Sequence, residues 1–193
     1  MKVLVAADTH GNLEPQNLPQ ESLFIKLNGI FLLGDVFIND IELLQNFYPT
    51  TPMLGVGGNH DKWDLLQSTN VEDLHGRIIK WNRLYIAGFG GAYKNLDKDE
   101  YMFHTQEEAS KALAQMHCCD ILLTHDQPCF EAMNEDATID FYSGPGLVGI
   151  TQYIDKNHPK LHLHGHIHET RTDWRNMTCI RSFYGVELID IDL

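Results

Sequence analysis

Five short apolar runs constrain the fold most strongly, because each of them stops at or just before a polar residue. The runs cover residues 3–7, 30–34, 53–58, 121–124 and 161–165. Stretches of four to six residues rich in Val, Ile and Leu, without helical periodicity, are typical of strands that are buried on both faces. The sequence therefore predicts a buried strand at each of these positions.

Segments with helical character lie between several of these runs, at residues 41–47, 106–116 and 146–157. Further strands are predicted at 77–81, 84–89, 178–183 and 186–191. Strands that alternate with helices favour crossover connections, so we expect an α/β fold with partly parallel strands. The stretches 92–105 and 127–145 lack periodicity and are predicted to be long loops, which often carry function.

Polar side chains follow the five buried runs in the order Asp, Asp, Asn, His and His-x-His. The carboxyl ends of parallel strands share one edge of a sheet, and open α/β sheets bind their ligands there. We therefore expect these polar groups to gather at one place.

Length and composition constrain the number of domains and the kinds of partner that the protein can bind. The 193 residues suit a single domain over 1–193, and 27 acidic against 14 basic residues give a formal net charge of −13. That balance disfavours non-specific binding to nucleic acid or to an anionic membrane, which requires clustered basic residues.

The four cysteines show no CxxC spacing, so neither a zinc knuckle nor a disulfide framework is predicted. The apolar stretch at the amino terminus is interrupted by Asp8 and is too short for a signal peptide or a spanning helix. We therefore expect a reduced, cytoplasmic protein with no membrane association.

The motifs at the ends of the runs are DTH (8–10), GD (34–35), GNHD (58–61), TH (124–125) and GHIH (165–168). Each motif alone is weak, because an Asp-x-His can cap a strand and Gly-Asp is a common turn dipeptide. The ordered set resembles the calcineurin-like metallophosphoesterase superfamily over residues 8–168. The resemblance implies a four-layer α/β/β/α sandwich of two mixed sheets.

The resemblance also implies roles for individual residues. The ligands of a first metal ion would be Asp8, His10 and His168. Asp35 would bridge both ions, and the ligands of the second ion would be Asn59, His125 and His166. His60 matches the catalytic histidine of the family, and Asp61 stands where an acidic residue usually orients it.

These residue types suit phosphate ester hydrolysis. Two divalent ions, typically about 3.5–4 Å apart, can hold a bridging hydroxide that attacks phosphorus and can clamp the phosphate oxygens. Imidazole and oxygen ligands without thiolate suit Mn, Fe or Zn, with Mn as our first expectation. His60 would act as an acid or stabilise the developing charge.

The expected substrate is a small phosphodiester, for which a cyclic nucleotide is one candidate, or a phosphomonoester. The segment after Asp35 lacks the GDxVDRG continuation of protein Ser/Thr phosphatases, which disfavours that class. Two alternatives remain: a non-catalytic scaffold on the same fold, and a nuclease, which the acidic charge disfavours. The sequence predicts no oligomeric state.

The other histidines allow competing interpretations. His162 and His164 precede the GHIH motif, and a chelating His-rich tract is one reading of the run. We expect them instead to pack in the preceding strand, where they share one face. Four further histidines have no motif partner and are predicted to lie at the surface: His75, His104, His117 and His158.

Overall fold

The chain forms two mixed β-sheets that pack face to face. The structure is a computed structural model, and it describes residues 1–93, 102–129 and 144–193. In chain order the strands are β1 (Lys2–Ala7), β2 (Gly29–Leu33), β3 (Met53–Val56), β4 (Val71–Asp73), β5 (Arg77–Trp81), β6 (Leu84–Phe89), β7 (Ala92–Tyr93), β8 (Phe103–His104), β9 (Ile121–Thr124), β10 (Leu161–His164), β11 (Arg171–Arg175), β12 (Thr178–Ser182) and β13 (Gly185–Asp190). The α-helices are α1 (Ile38–Phe47), α2 (Gln106–Gln115) and α3 (Val148–Asn157).

The first sheet has the strand order β13-β1-β2-β3-β4, and the second has the order β11-β12-β10-β9-β6-β5. In the first sheet β1 to β4 are parallel and β13 pairs antiparallel with β1. In the second sheet the four inner strands are parallel, and the edge strands β11 and β5 are antiparallel to their neighbours. Both sheets are therefore mixed, as predicted.

Three apolar clusters define four layers. Val5, Phe31 and Leu163 belong to the cluster between the two sheets. The helix α1 packs on the outer face of the first sheet, where Ile41 and other residues form the second cluster. The helices α2 and α3 cover the outer face of the second sheet in the third cluster. Each fully buried large side chain contributes roughly 1.5–3 kcal/mol, so these clusters stabilise the predicted α/β/β/α sandwich.

The strands predicted from apolar runs and alternation are all present, with ends shifted by at most two residues. Four of the described strands were not predicted, namely β4, β7, β8 and β11. In β11 partly buried and exposed residues alternate, and the strand contains no apolar run because it lies at a sheet edge. The strand β4 has only three residues and is also an edge strand. The helix α1 begins at Ile38, earlier than the predicted start at 41.

The predicted loops at 92–105 and 127–145 lie partly outside the described residues. Within the described part of the first, Ala92–Tyr93 and Phe103–His104 pair as β7 and β8, so this stretch is not wholly irregular. The helix α2 begins directly after it with a capping box, in which the side chains of Thr105 and Glu108 bond each other's backbone N–H. Each α-helix is ten residues long, and no helix within the described ranges has the length and hydropathy to cross a bilayer.

The six histidines outside the motifs differ in how deeply they are buried. His162 and His164 are buried, and their rings stack at 5.2 Å, which confirms that they pack within the strand. His117 and His158 are exposed, as predicted. The surface prediction for His104 is wrong: its ring is buried and stacks at 5.6 Å on that of His75, which is itself half-buried.

Candidate metal centre

The candidate site lies where the carboxyl ends of five strands from both sheets converge. Asp8 follows β1, Asp35 follows β2, and His125 follows β9. Nδ1 of His125 lies 2.8 Å from the carbonyl oxygen of Leu33 in the facing sheet. The predicted gathering of polar groups is confirmed, although the groups come from two sheets rather than from one edge.

One group of potential metal ligands consists of Asp8, His10 and His168. One ligand atom from each of the three lies within 4.8 Å of the other two. The Nε2 atoms of the two histidines are 3.2 Å apart, and Nε2 of His168 is 3.6 Å from Oδ1 of Asp8. These are the three residues that the resemblance assigns to a first ion.

A second group consists of Asp8, Asp35 and His125, again with ligand atoms within 4.8 Å of one another. Oδ2 of Asp35 is 3.6 Å from Nε2 of His125, and both side chains are buried. Asp8 therefore belongs to both groups, so the two groups form one continuous cluster.

Both nitrogen atoms of His125 face oxygen atoms, although a neutral ring can donate only one hydrogen bond. Donation from Nδ1 to the carbonyl oxygen of Leu33 turns the lone pair of Nε2 toward the cluster. Burial lowers the pKa of His125 to about 4, which keeps the ring neutral. Nε2 nevertheless lies 2.8 Å from Oδ1 of Asn59. Two acceptors at this separation fit a site that a shared cation completes.

Asp8 gives a second indication of a cation site. Its Oδ2 accepts a 2.8 Å hydrogen bond from the backbone N–H of His166. Its Oδ1 is buried and has no hydrogen-bond partner in the described part of the chain. Burial and the nearby charge of Asp35 raise the pKa of Asp8 to about 8. An oxygen in this position costs free energy unless a positive charge compensates it.

His166 lies beside the cluster rather than within either group. Its ring centroid is 5.0 Å from that of His125, and its Nε2 is 3.9 Å from Oδ1 of the buried Asp126. Asp126 accepts hydrogen bonds from the backbone N–H groups of Tyr93 and Gln127. The Asp126 carboxylate therefore connects β7 to the end of β9, next to the candidate ligand His166.

His60 is exposed at the edge of the cluster, and its ring centroid is 5.4 Å from that of His10. Its backbone N–H donates to Oδ1 of Asp35 at 2.8 Å, which ties the two predicted functional residues together. The next residue, Asp61, accepts from the backbone N–H groups of Gly58 and Asp35. Within the described residues Asp61 bonds the ligand loops and not the His60 ring.

The ligand loops adopt unusual backbone conformations. Five of the seven predicted ligands have positive φ, namely Asp8 (52°), His10 (48°), Asp35 (53°), His166 (70°) and His168 (50°). Non-glycine residues rarely adopt this region, and such residues cluster at functional sites because the surrounding structure must hold them there.

Asp40 is a site residue that the sequence reasoning missed. It is fully buried in the first turn of α1. Its carboxylate accepts from the Thr9 hydroxyl and from the backbone N–H groups of Gly11 and Leu13, at 2.5, 2.8 and 3.0 Å. It thereby holds the loop that carries Asp8 and His10. An acidic residue in the first turn of a helix is common, so the sequence carried no signal of this role.

The donor set fits divalent ions. Carboxylate, amide and imidazole groups converge without thiolate, which suits Mn, Fe or Zn. Within the described residues the free cysteines lie elsewhere, and the clustered ligands come from the motifs that the sequence singled out.

Comparison with known proteins agrees with this geometry. Residues 1–182 match the model of the calcineurin-like phosphoesterase superfamily domain. No curated protein sequence matches the chain. The fold is similar to TT1561 of Thermus thermophilus, with 16% identity, a TM-score of 0.68, and coverage of 95% of this chain and 89% of that one.

It is also similar to the phosphopantetheinyl hydrolase PptH of Mycobacterium tuberculosis, with 13% identity, a TM-score of 0.65, and the same coverage of 95% and 89%. At these identities the structures establish the fold alone. The match to the family model spans nearly the whole chain, and this protein therefore belongs to the calcineurin-like phosphoesterase superfamily.

Proposed function

We propose that this protein is a phosphoesterase that binds two divalent metal ions and hydrolyses a small phosphodiester or phosphomonoester. The preferred metal in this proposal is Mn²⁺, with Fe and Zn as alternatives. The convergence of ligand atoms from Asp8, Asp35 and His125 within 4.8 Å of one another carries the proposal, because the buried Oδ1 of Asp8 has no hydrogen-bond partner among the described residues. Membership of the superfamily supports it, since its members are generally metal-dependent phosphoesterases.

In this proposal Asp8, His10 and His168 would hold one ion, Asn59, His125 and His166 would hold the other, and Asp35 would serve as a ligand of both. When bound, the ions would activate water and neutralise charge on the phosphate oxygens. Asp61 would keep the Gly58 and Asp35 backbone in place, because its carboxylate accepts from both N–H groups.

His60 would assist the departure of the alcohol. A water oxygen adds to phosphorus, and the bond between phosphorus and the alcohol oxygen breaks. His60 would pass a proton to that oxygen, and the proton that the attacking water loses would restore it, so the products are an alcohol and a phosphate with one ester bond fewer. The exposed position of His60 beside the ring of His10 supports this role, because the substrate has to approach from solvent.

The test is hydrolysis of bis(p-nitrophenyl) phosphate and p-nitrophenyl phosphate by chelator-treated protein, with and without added Mn²⁺. We expect turnover that requires Mn²⁺ and that Asp35→Asn abolishes. Asp64→Asn, an exposed carboxylate outside the cluster, is the matched control and should behave as wild type. The ratio of the two rates shows whether the enzyme prefers diesters or monoesters.

Binding of Mn²⁺ without turnover of either ester would favour a scaffold, the alternative from another class. Preferential cleavage of single-stranded DNA would favour a nuclease. A protein that binds no divalent ion would overturn the proposal.

A further inference from the structure

A groove adjoins the candidate metal centre and is lined by residues of the segments 8–17 and 184–186. It has a volume of about 330 Å³, at the lower end of the range for small-molecule sites. Asp8 and His10 form part of its wall, so it opens directly onto the predicted first metal ion. Any ester whose phosphate binds at the cluster therefore has a cavity beside the phosphate for one of its substituents.

The lining of the groove defines the chemistry of that substituent. Leu13 and Val186 provide apolar wall, and Asn12 and Asn17 provide amide groups. Of the described residues that line the groove, none is Lys or Arg. A second phosphate or carboxylate on the substrate would find no cation there, so the lining favours an uncharged group.

Tyr184 connects the groove to the metal centre. It lines the groove, and its ring stacks on the ring of His168 with centroids 4.9 Å apart and planes at 15°. The side chain remains half-exposed, so part of its ring is available to a ligand. Aromatic rings bind planar π-systems by offset stacking or edge contact, and an apolar wall adds to this preference.

We propose that this groove binds an aromatic ring carried by the substrate ester, with Tyr184 and Val186 as specificity-determining residues. The inference rests on the proposed function, because the phosphate has to be held at the adjacent cluster. The shared chemistry is a planar, uncharged ring, which is present both in aryl esters and in nucleotides.

The test compares the binding of phenylphosphonate and methylphosphonate to the Mn²⁺-loaded protein by calorimetry. The two probes share the phosphonate and differ only in the ring. We expect phenylphosphonate to bind about tenfold more tightly. Val186→Trp, which fills the groove, should reduce this ratio to below about threefold, and Tyr85→Ala, an exposed aromatic residue remote from the groove, should leave it unchanged.

A second pair of variants keeps the test decisive if the tryptophan disturbs folding. Tyr184→Phe retains the ring and should retain the preference, whereas Tyr184→Ala should lose it. Binding of adenosine 5′-phosphonate, compared with that of phenylphosphonate, distinguishes a nucleotide substrate from an aryl ester. Tighter binding of the adenosine compound would assign a nucleotide substrate.

Equal affinity of the wild type for phenylphosphonate and methylphosphonate would overturn the groove's role while leaving the metal centre and the proposed function intact. The same conclusion would follow if Tyr184→Ala kept the full preference. Failure of both phosphonates to bind would instead contradict the proposed function, and the role of the groove with it.

Discussion

The Thr9 hydroxyl donates a 2.5 Å hydrogen bond to Oδ2 of Asp40, and this contact fastens the loop between Asp8 and His10 to the first turn of α1. The same carboxylate also accepts from the backbone N–H groups of Gly11 and Leu13. A buried carboxylate with several donors holds its loop in one conformation, because leaving any of the donors unpaired is costly.

Asp40→Asn should therefore destabilise the protein and weaken metal binding together. The amide loses one acceptor oxygen, so at least one buried donor is left unpaired, at a cost of about 2 kcal/mol. We expect Mn²⁺ affinity to fall by about 10–100-fold, as for other residues that support metal ligands. Denaturant unfolding and calorimetric titration measure the two effects. Glu42→Gln, exposed on the same helix, is the control and should change neither.

His60→Ala should retain the metal content of the wild type and lose most of its turnover. The ring is exposed and belongs to neither ligand group, so its removal leaves the cluster intact. A general acid contributes typically about 10²–10⁴-fold, and the loss should be larger for an ester with a poor leaving group. Metal content and rates on p-nitrophenyl and phenyl esters test this, with His158→Ala as an exposed control. Full activity on the phenyl ester would exclude the acid role.

Gly58→Ala should disrupt the centre through a single methyl group. A Cβ at this position would lie 2.2 Å from Oδ1 of Asp35 and 2.5 Å from its backbone nitrogen. The carboxylate or the loop has to move, and we expect Mn²⁺ binding to fall by at least about tenfold. Gly76→Ala, whose Cβ meets nothing within 4 Å, is the control. It should cost about 1 kcal/mol from its positive φ and bind Mn²⁺ normally.

The stacked pair of His104 and His75 predicts a pH dependence of stability. Burial, with a smaller effect from His75, lowers the pKa of His104 to about 4 from its ordinary value of 6.5. As pH falls from about 6.5 toward 4, the unfolded chain takes up a proton that the folded chain does not bind. The stability contributed by the neutral ring is complete above this window and is lost within it, by about 2 kcal/mol between pH 7 and pH 5.

His104→Gln should remove that part of the pH dependence. Denaturant unfolding at pH 5, 6 and 7 gives the slope of the unfolding free energy for wild type and variant, and their difference isolates the histidine. His117→Gln, at an exposed site, should keep the wild-type slope. An unchanged slope in His104→Gln would show that the His104 ring takes up its proton over the same pH range in the folded and unfolded states, which would contradict the prediction.

The sequence predicted the buried strands and the gathered motif residues because both depend on local composition. Apolar runs such as 121–124 are visible wherever a strand is covered on both faces, and the residues that follow such runs lie at the sheet end by geometry. The edge strand β11 escaped notice because its residues are half exposed and mostly polar, so that no apolar run marks it.

The supporting residues could not be predicted, because their roles depend on distant contacts. Asp40 accepts hydrogen bonds from residues in the segment 9–13, and Tyr184 stacks on His168, which lies 16 residues earlier in the sequence. Neither contact has a signature in the sequence around the residue. His104 was expected at the surface because it has no partner among the sequence motifs. It is buried by aromatic neighbours far along the chain, including Trp63 and Phe89.

The positive φ angles of Asp8, His10, Asp35, His166 and His168 have a consequence for laboratory evolution. Glycine adopts this backbone region freely, whereas other residues pay about 1–3 kcal/mol to be held in strained conformations at functional sites. Selection for heat resistance alone would therefore enrich glycine at these positions and remove the predicted ligands at the same time. Heat-resistant variants that still bind metal have to be sought away from the strand ends, or under a selection that also demands the ion.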